Sequence, residues 1–422
     1  MKKLFRTVAV CLLPLALGGA APSAVTPPPG LPEGVEPLPP EMHSRMDELV
    51  HTAEERRGLR LKRPVAWGWL GPDALREKIT AELRKELPAE TLRPFESALK
   101  AFGLVPERLD VVGVYTDLLT AEIAGFYDPD AEYMALVRRG QSKLDALDEM
   151  TLVHEAVHAI QDQHFDLGAF VDLDPMSDAA SAREALVEGD ATWAMLERVA
   201  DISPKILEES SRLEGGLSKA PVWFRETLLF SYFRGLAFCH EVRALGGQAL
   251  VDRAFTVDPP RSTEQILHPE KWAQQRDDPV AITSPDLSAV LPGHAKAAEG
   301  ELGEMGIRIL LTGEDQSGRK TAETAAAGWG GDRFQVYEKD GRRVLAWATE
   351  WDTEADAAEF ETAARGLGAD WDVRRAGPKR VQVVRGVEGE ALAVVQGALT
   401  PIAEPNPPAA PSLTASPSAA RY

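Results

Sequence analysis

The stretch TLVHEAVHAIQDQHF, residues 151–165, crowds three histidines and a glutamate into eleven positions of a chain with only eight histidines. Outside His154, Glu155 and His158, the residues Thr151, Leu152, Val153, Ala156, Val157, Ala159 and Ile160 are apolar almost all round a helical wheel. That pattern predicts a buried helix over 145–164, and buried histidines and glutamates need partners. His154 and His158 stand four residues apart, so both imidazoles face one way and can reach one ion. Glu155, next to the first of them, can address a water on that ion rather than the ion itself. Zinc lowers the pKa of its water to near 7, and a carboxylate can then take the proton. The segment therefore reads as two Zn2+ ligands and a general base.

The third ligand has three candidates. His164 follows His158 by six residues, which is the metzincin spacing. Metzincins carry a glycine where this chain has Gln161, and the glycine permits the turn that returns the third histidine to the metal. If Gln161 continues the helix, His164 points about 120° away from His158. The rival lies in SAREALVEGDATWAML, residues 181–196, which reads as part of a helix over 179–200. In gluzincins a second helix supplies a glutamate, and Glu188 fits that role, with Gly189 beside it to let the two helices approach. Glu184, one turn earlier on the same face, is the fallback. Asp190 is placed to orient a ligand histidine from behind, and Asp162 is a weaker choice for that task.

Outward from this centre the chain has a readable order. Residues 1–24 read as a cleavable export signal: MKKLFR is positive, TVAVCLLPLALGG is a short apolar core, and small residues follow. The core is too short for a comfortable membrane span, and Cys11 lies inside it rather than at the small-residue end where a lipid anchor would sit. Residues 25–41 are a proline-rich linker. A metallopeptidase-like domain is expected over 42–298, a small α+β domain over 299–400, and a disordered tail over 401–422. Helical spacing marks 42–57, 72–102 and 222–245. RLDVVGVYTDLL (108–119) and IAGFYDPDAEYMALV (123–137) read as strands, the second as a pair around YDPD. In the last third, RFQVYEKDGRRVLAWATEW predicts a hairpin about Asp340-Gly341, and Thr353 with Asp356 predicts a capping box. KRVQVVRG and EALAVVQGAL add a strand and a helix. The net charge of −20 excludes nucleic acid and anionic membrane surfaces as partners. Two cysteines, Cys11 and Cys239, offer no disulfide framework, and Cys239 reads as a buried inert thiol.

The segments GFYDP, HEAVHAIQDQHFDL, ALVEGDAT and STEQILHPEKW occur here in that order, followed by GWGGDRF and WDTEADAAEF. Together they resemble a family of exported bacterial and archaeal gluzincin-type metallopeptidases, over residues 110 to 365 or so. The resemblance implies zinc at His154, His158 and Glu188, Glu155 as base, and a peptide or protein substrate. It also gives IAGFYDPDAEYMALV a place as the edge that binds an extended peptide. Tyr232 in SYFRG and His268 in STEQILHP are the candidates for stabilising a transition-state oxyanion. Each also has a structural reading as hydrogen-bonded core. The tryptophans of GWGGDRF and ATEWDTEAD read as core packing, and LREKITAELRKEL as a solvated helix face.

The expected fold class is α+β: a largely helical, mixed zincin-like catalytic domain followed by a small α+β domain. The expected function is zinc-dependent hydrolysis of a peptide bond, by a protein exported to the cell envelope and with no stable membrane span after signal cleavage. The competing expectation is a catalytically idle zincin fold that serves as an envelope interaction module around a structural zinc, which would need a closed set of protein ligands.

Overall fold

The computed structural model describes residues 9–10, 30–138, 144–196, 217, 220–313, 317–399 and 402–403. The chain is α+β, 54% helical and 17% strand, so helices supply most of the scaffold, as expected. The first half runs β1 (Ala9–Val10), β2 (Glu36–Pro37), α1 (Pro40–Arg57), β3 (Ala66–Leu70), α2 (Pro72–Glu86), α3 (Ala89–Ala101) and α4 (Val111–Glu122). It continues with β4 (Ile123–Asp128), β5 (Tyr133–Val137), α5 (Ala146–Phe165), α6 (Leu167–Phe170) and α7 (Asp178–Leu196). The five strands form one sheet in the order β1-β4-β5-β3-β2. β3 and β5 run parallel, and the other pairs are antiparallel.

Two local expectations are corrected here. Residues 111–122 form a helix, not the expected strand. Its valines and threonine suggest β structure, yet Val111, Tyr115, Leu118 and Leu119 are buried at i, i+4, i+7 and i+8, one helical face. The Asp110 carboxylate starts it by accepting the Gly113 amide at 3.0 Å, a standard N-cap contact. The proline-rich linker is not wholly a tether: Glu36–Pro37 pairs with Trp69 and Gly68 of β3, and Leu38 is buried. The hairpin at 123–137 forms around YDPD, with the Asp128 carboxylate accepting the amides of Asp130 and Ala131. The outer side of β4 is paired with Ala9–Val10. The remainder of the signal reading lies outside the described residues.

The second half begins with α8 (Val222–Leu229), a π-helical turn (Phe230–Arg234) and α9 (Gly235–Phe255), then α10 (Thr263–Leu267), α11 (Pro269–Ala273) and β6 (Ile282–Thr283). A second sheet follows: β7 (Ala295–Gly300), α12 (Gly303–Thr312), α13 (Arg319–Ala326), β8 (Trp329–Lys339), β9 (Arg342–Trp351), α14 (Glu354–Ala364), β10 (Trp371–Arg375) and β11 (Arg380–Arg385). Its order is β10-β11-β9-β8-β7, antiparallel throughout. α15 (Gly389–Ala398) closes it, and β12 (Ile402–Ala403) pairs with β6 inside the segment expected to be a free tail. The turn at Asp340-Gly341 has positive φ at both residues, 48° and 75°, which is the type I′ geometry of a two-residue hairpin. The Thr353–Asp356 capping box is present.

The two sheets share one core. Phe102, at the end of α3, meets Phe334 and Trp347 edge-on at 5.1 Å each, so a helix of the first half lies on the second sheet. The expected boundary at 298/299 also cuts β7. Trp329, Trp347 and Trp351 are buried, in line with the core-packing reading. Asp332 anchors this region: its carboxylate accepts the amides of Leu302 and Gly303 and the indole N–H groups of Trp329 and Trp347. Among the described residues no helix is long and apolar enough to cross a membrane.

Candidate metal centre

α5 is buried on every side from Thr151 to Gln161, as its sequence requires. It lies close on β4, where a side chain at Gly125 would put a Cβ 2.8 Å from Thr151 Cγ2. The helix continues through Gln161 to Phe165, with no turn after His158. His164 therefore leaves the cluster, and its Nε2 lies 2.8 Å from the Arg60 carbonyl oxygen.

α7 crosses α5 and brings Glu188 to the two motif histidines. His154 Nε2 and His158 Nε2 are 2.9 Å apart, and Glu188 Oε2 lies 3.2 Å from the first and 3.4 Å from the second. The three atoms form a nearly equilateral triangle. Ligands at about 2.0–2.1 Å around a tetrahedral zinc are separated by roughly 3.3 Å, so the observed edges fit three corners of such a site. The donor set, two imidazoles and a carboxylate, is also one that zinc takes. Among the described residues the group holds these three side chains, and a tetrahedral ion on them would keep one position for water or substrate. All three ligand candidates and Glu155 are buried.

Electrostatics follow from that burial. Loss of solvent, reinforced by the charge on His158, pushes the His154 imidazole down to about 4. Burial opposes charge on His158 as well, but the Glu188 carboxylate outweighs it and lifts this imidazole to about 9. Glu188 in turn is held below the usual carboxylate range, because the His158 charge overcomes its own desolvation. The Glu188 carboxylate thus favours positive charge at His158 over His154, and a cation placed among the three would answer the same carboxylate.

Around the triangle the structure brings in Tyr232 and Asp190, both candidates from the sequence, and adds Gln161, Arg57 and Arg243, whose link to the site the sequence did not show. The Tyr232 ring stacks on His154, with centroids 5.8 Å apart and planes 17° apart. The π-helical turn presents it there, and such turns recur at functional sites. Behind His158, its Nδ1 lies 2.9 Å from Gln161 Oε1. The Gln161 amide nitrogen donates to Asp190 Oδ2 at 2.9 Å and to the Val187 carbonyl at 3.1 Å. Asp190 is ion-paired with Arg57 Nε at 2.5 Å and with Arg243. Their charges outweigh burial and keep it ionised below the ordinary range. Asp190 thus stands behind the ligand histidine through Gln161, not in direct contact as expected.

The remaining candidates go elsewhere. His268 caps the end of α10, with Nε2 3.1 Å from Glu304 Oε1 and 3.4 Å from Arg308. This ties α10 to α12 and leaves Tyr232 as the candidate seen against the cluster. Asp162 accepts the Tyr127 hydroxyl at 3.1 Å. Glu184 is outside the three-residue group and raises the pKa of Tyr115 by its charge, after the larger effect of burial. Gly189 does relieve a close helix approach, but the neighbour is Gly235 of α9 rather than α5: a Cβ at Gly189 would fall 2.0 Å from the Gly235 carbonyl carbon. Arg57 and Arg243 gave no sequence signal, since each reads as one charge on a polar helix face.

Comparison with protein families finds one match, a domain of unknown function (DUF8575), over residues 290–407. That span covers the second sheet and lies outside the histidine cluster. Neither the curated proteins nor the solved structures yield a match.

Proposed function

We propose that this protein is an exported zinc-dependent hydrolase of the gluzincin type that cleaves peptide bonds. The observation that carries the reading is the convergence of His154 Nε2, His158 Nε2 and Glu188 Oε2 within 2.9–3.4 Å of one another, with a carboxylate, Glu155, adjacent to the first ligand in the chain. When bound, zinc would supply Lewis acidity to a water and to the scissile carbonyl. Glu155 takes the proton of the attacking water and returns it to the leaving amine. Tyr232, whose ring stacks on His154, is the candidate donor to the oxygen that gains charge. Gln161 and Asp190 keep His158 oriented, and the apolar wall of α5 excludes bulk water and strengthens each of these interactions.

One observation favours a structural ion instead: the three ligands and Glu155 are all buried. Against it stands the ligand count, since structural zinc takes four protein ligands and His164 is engaged by the Arg60 carbonyl. Elemental analysis of the purified protein tests the site. We expect about one zinc per chain, kept in His164→Ala and lost in Glu188→Ala. A peptide-library digest then separates the two readings: Glu155→Gln should keep zinc and lose about 10²–10⁴ in turnover. Cleavage undiminished in that variant would overturn the mechanism. Zinc bound by wild type that cleaves no peptide would favour the structural ion.

A further inference from the structure

We infer that Gln161 is a positioning residue of this centre: its side-chain carbonyl fixes the neutral, metal-binding form of His158 in the tautomer protonated on Nδ1 and so keeps the Nε2 lone pair on the ligand cluster. The identity of the ion rests on the zinc reading above. The tautomer rests on hydrogen-bond inventory alone.

A glutamine amide has one oxygen that only accepts and one NH2 that only donates. The nitrogen end of Gln161 sits 2.9 Å from Asp190 Oδ2 and 3.1 Å from the Val187 carbonyl oxygen. Both partners are acceptors. Turning the amide over would set its oxygen against a carboxylate and a carbonyl and forfeit two buried hydrogen bonds. The oxygen end must therefore face His158 Nδ1, 2.9 Å away, and an oxygen there requires a hydrogen on that nitrogen. A neutral imidazole with Nδ1–H has its lone pair on Nε2. That is the atom 2.9 Å from His154 Nε2 and 3.4 Å from Glu188 Oε2.

Asp190 is itself immobilised. Buried Arg57 reaches it at 2.5 Å and also holds Asp252 at 2.7 Å, while Arg243 grips its other oxygen and lies 3.8 Å from the Trp193 ring centroid. Two guanidiniums thus fix a carboxylate, the carboxylate fixes an amide, and the amide fixes a ligand. Metal-bound histidines commonly donate straight to a carboxylate. Here a neutral amide stands between, which avoids a second anion in contact with a cluster that already contains Glu188. The position demands a side chain that donates on one side and accepts on the other. Glutamate and methionine each fail that requirement.

The test is zinc affinity, measured by competition with a chromophoric chelator at fixed pH, in wild type, Gln161→Met and Gln161→Glu. Both variants should bind zinc about 10–100-fold more weakly, and glutamate should not restore affinity, because it cannot donate to Asp190. The ¹H–¹⁵N spectrum of the zinc-loaded wild type should show a slowly exchanging His158 Nδ1 proton, and that protection should be lost in Gln161→Met. Affinities within threefold of wild type would overturn the positioning role and leave the zinc site standing. So would a wild-type spectrum with the proton on Nε2, even where a variant fails to fold. A wild type that binds no zinc would overturn the metal reading and the positioning role together.

Discussion

Glu188 and Tyr232 are both placed by one glycine contact, and Gly189→Ala tests it. A Cβ at Gly189 would lie 2.0 Å from the Gly235 carbonyl carbon and 2.3 Å from its oxygen, while a Cβ at Gly235 would lie 1.9 Å from the Ala185 carbonyl oxygen. Ordinary Cβ contacts begin near 3.4 Å, so α7 and α9 would have to separate by about 1.4 Å, the difference between 3.4 and 2.0 Å. Neither partner is a flexible side chain that could swing away. Overpacking of this kind costs about 1–3 kcal/mol, which for a chain of this length corresponds to a melting temperature lower by roughly 1–3 °C. The separation would also carry Glu188, one residue before Gly189, away from the histidines, and would shift the π-helical turn (Phe230–Arg234) that leads into Gly235. Zinc affinity should fall by about tenfold or more. Calorimetry and chelator competition on Gly189→Ala and Gly397→Ala provide the assay. Gly397, on α15, has nothing within 4 Å of its would-be Cβ, so alanine there should be neutral or stabilising by up to about 1 kcal/mol. Equal melting temperatures and equal zinc affinities in the two variants would refute the close crossing.

Asp190→Asn removes one partner of a buried pair and should cost about 3–5 kcal/mol at neutral pH. Asp190 is held below its ordinary value by Arg57 and Arg243, which outweigh its burial. Its contribution is therefore complete above about pH 3.9 and is lost as pH falls through the folded value. The melting gap between wild type and variant should be widest at pH 7 and should close towards pH 2; a gap that widens in acid would contradict this. Asp332→Asn exchanges an acceptor of four donors for a group that opposes some of them. It should destabilise by about 2–4 kcal/mol, read by urea unfolding, with an effect under about 0.5 kcal/mol counting against the network. Cys239 is buried, and burial pushes its thiol up to about 12, so it should resist a disulfide exchange reagent until urea unfolds the chain. Rapid labelling of the native protein at that residue would show that α9 is open.

How far the sequence carried each of these features depends on how local its cause is. The α5 segment was legible because its apolar residues surround the motif and leave only His154, Glu155 and His158 to explain. The hairpin at Asp340-Gly341 and the Thr353–Asp356 cap were legible because turn and cap chemistry act over three or four residues. Helix α4 was misread because its β-branched residues carry local preference, while its buried face at 111, 115, 118 and 119 is set by tertiary packing. The linker strand at Glu36–Pro37 was missed for the same reason: it exists only because β3 offers an edge. Glu188 was found through its Gly189 neighbour, although the helix that the glycine admits is α9. Nothing in residues 56 and 57 distinguishes Arg56 from Arg57. Yet only the second is fully buried and linked to the centre through Asp190.

Gln161 joins the two questions that the opening stretch poses, which ligands bind and what holds them. Its helical backbone continues α5 past His158 and so sends His164 to the Arg60 carbonyl. Its side chain meanwhile holds His158. Glycine at this position would match the metzincin pattern in sequence, and Gln161→Gly therefore tests whether pattern or fold selects the third ligand. The helix after residue 161 is kept by more than local preference: Gln163 accepts the amides of Lys62 and Arg63, at 2.7 and 2.9 Å, and Asp166 caps α6 through the Ala169 amide. Freeing one backbone position by about 1 kcal/mol does not repay the loss of those contacts. Gln161→Gly should bind zinc more weakly than wild type, and adding His164→Ala should change nothing further. A double variant much weaker than the single one would mean that His164 had been recruited, and that the glycine alone decides between the two ligand sets.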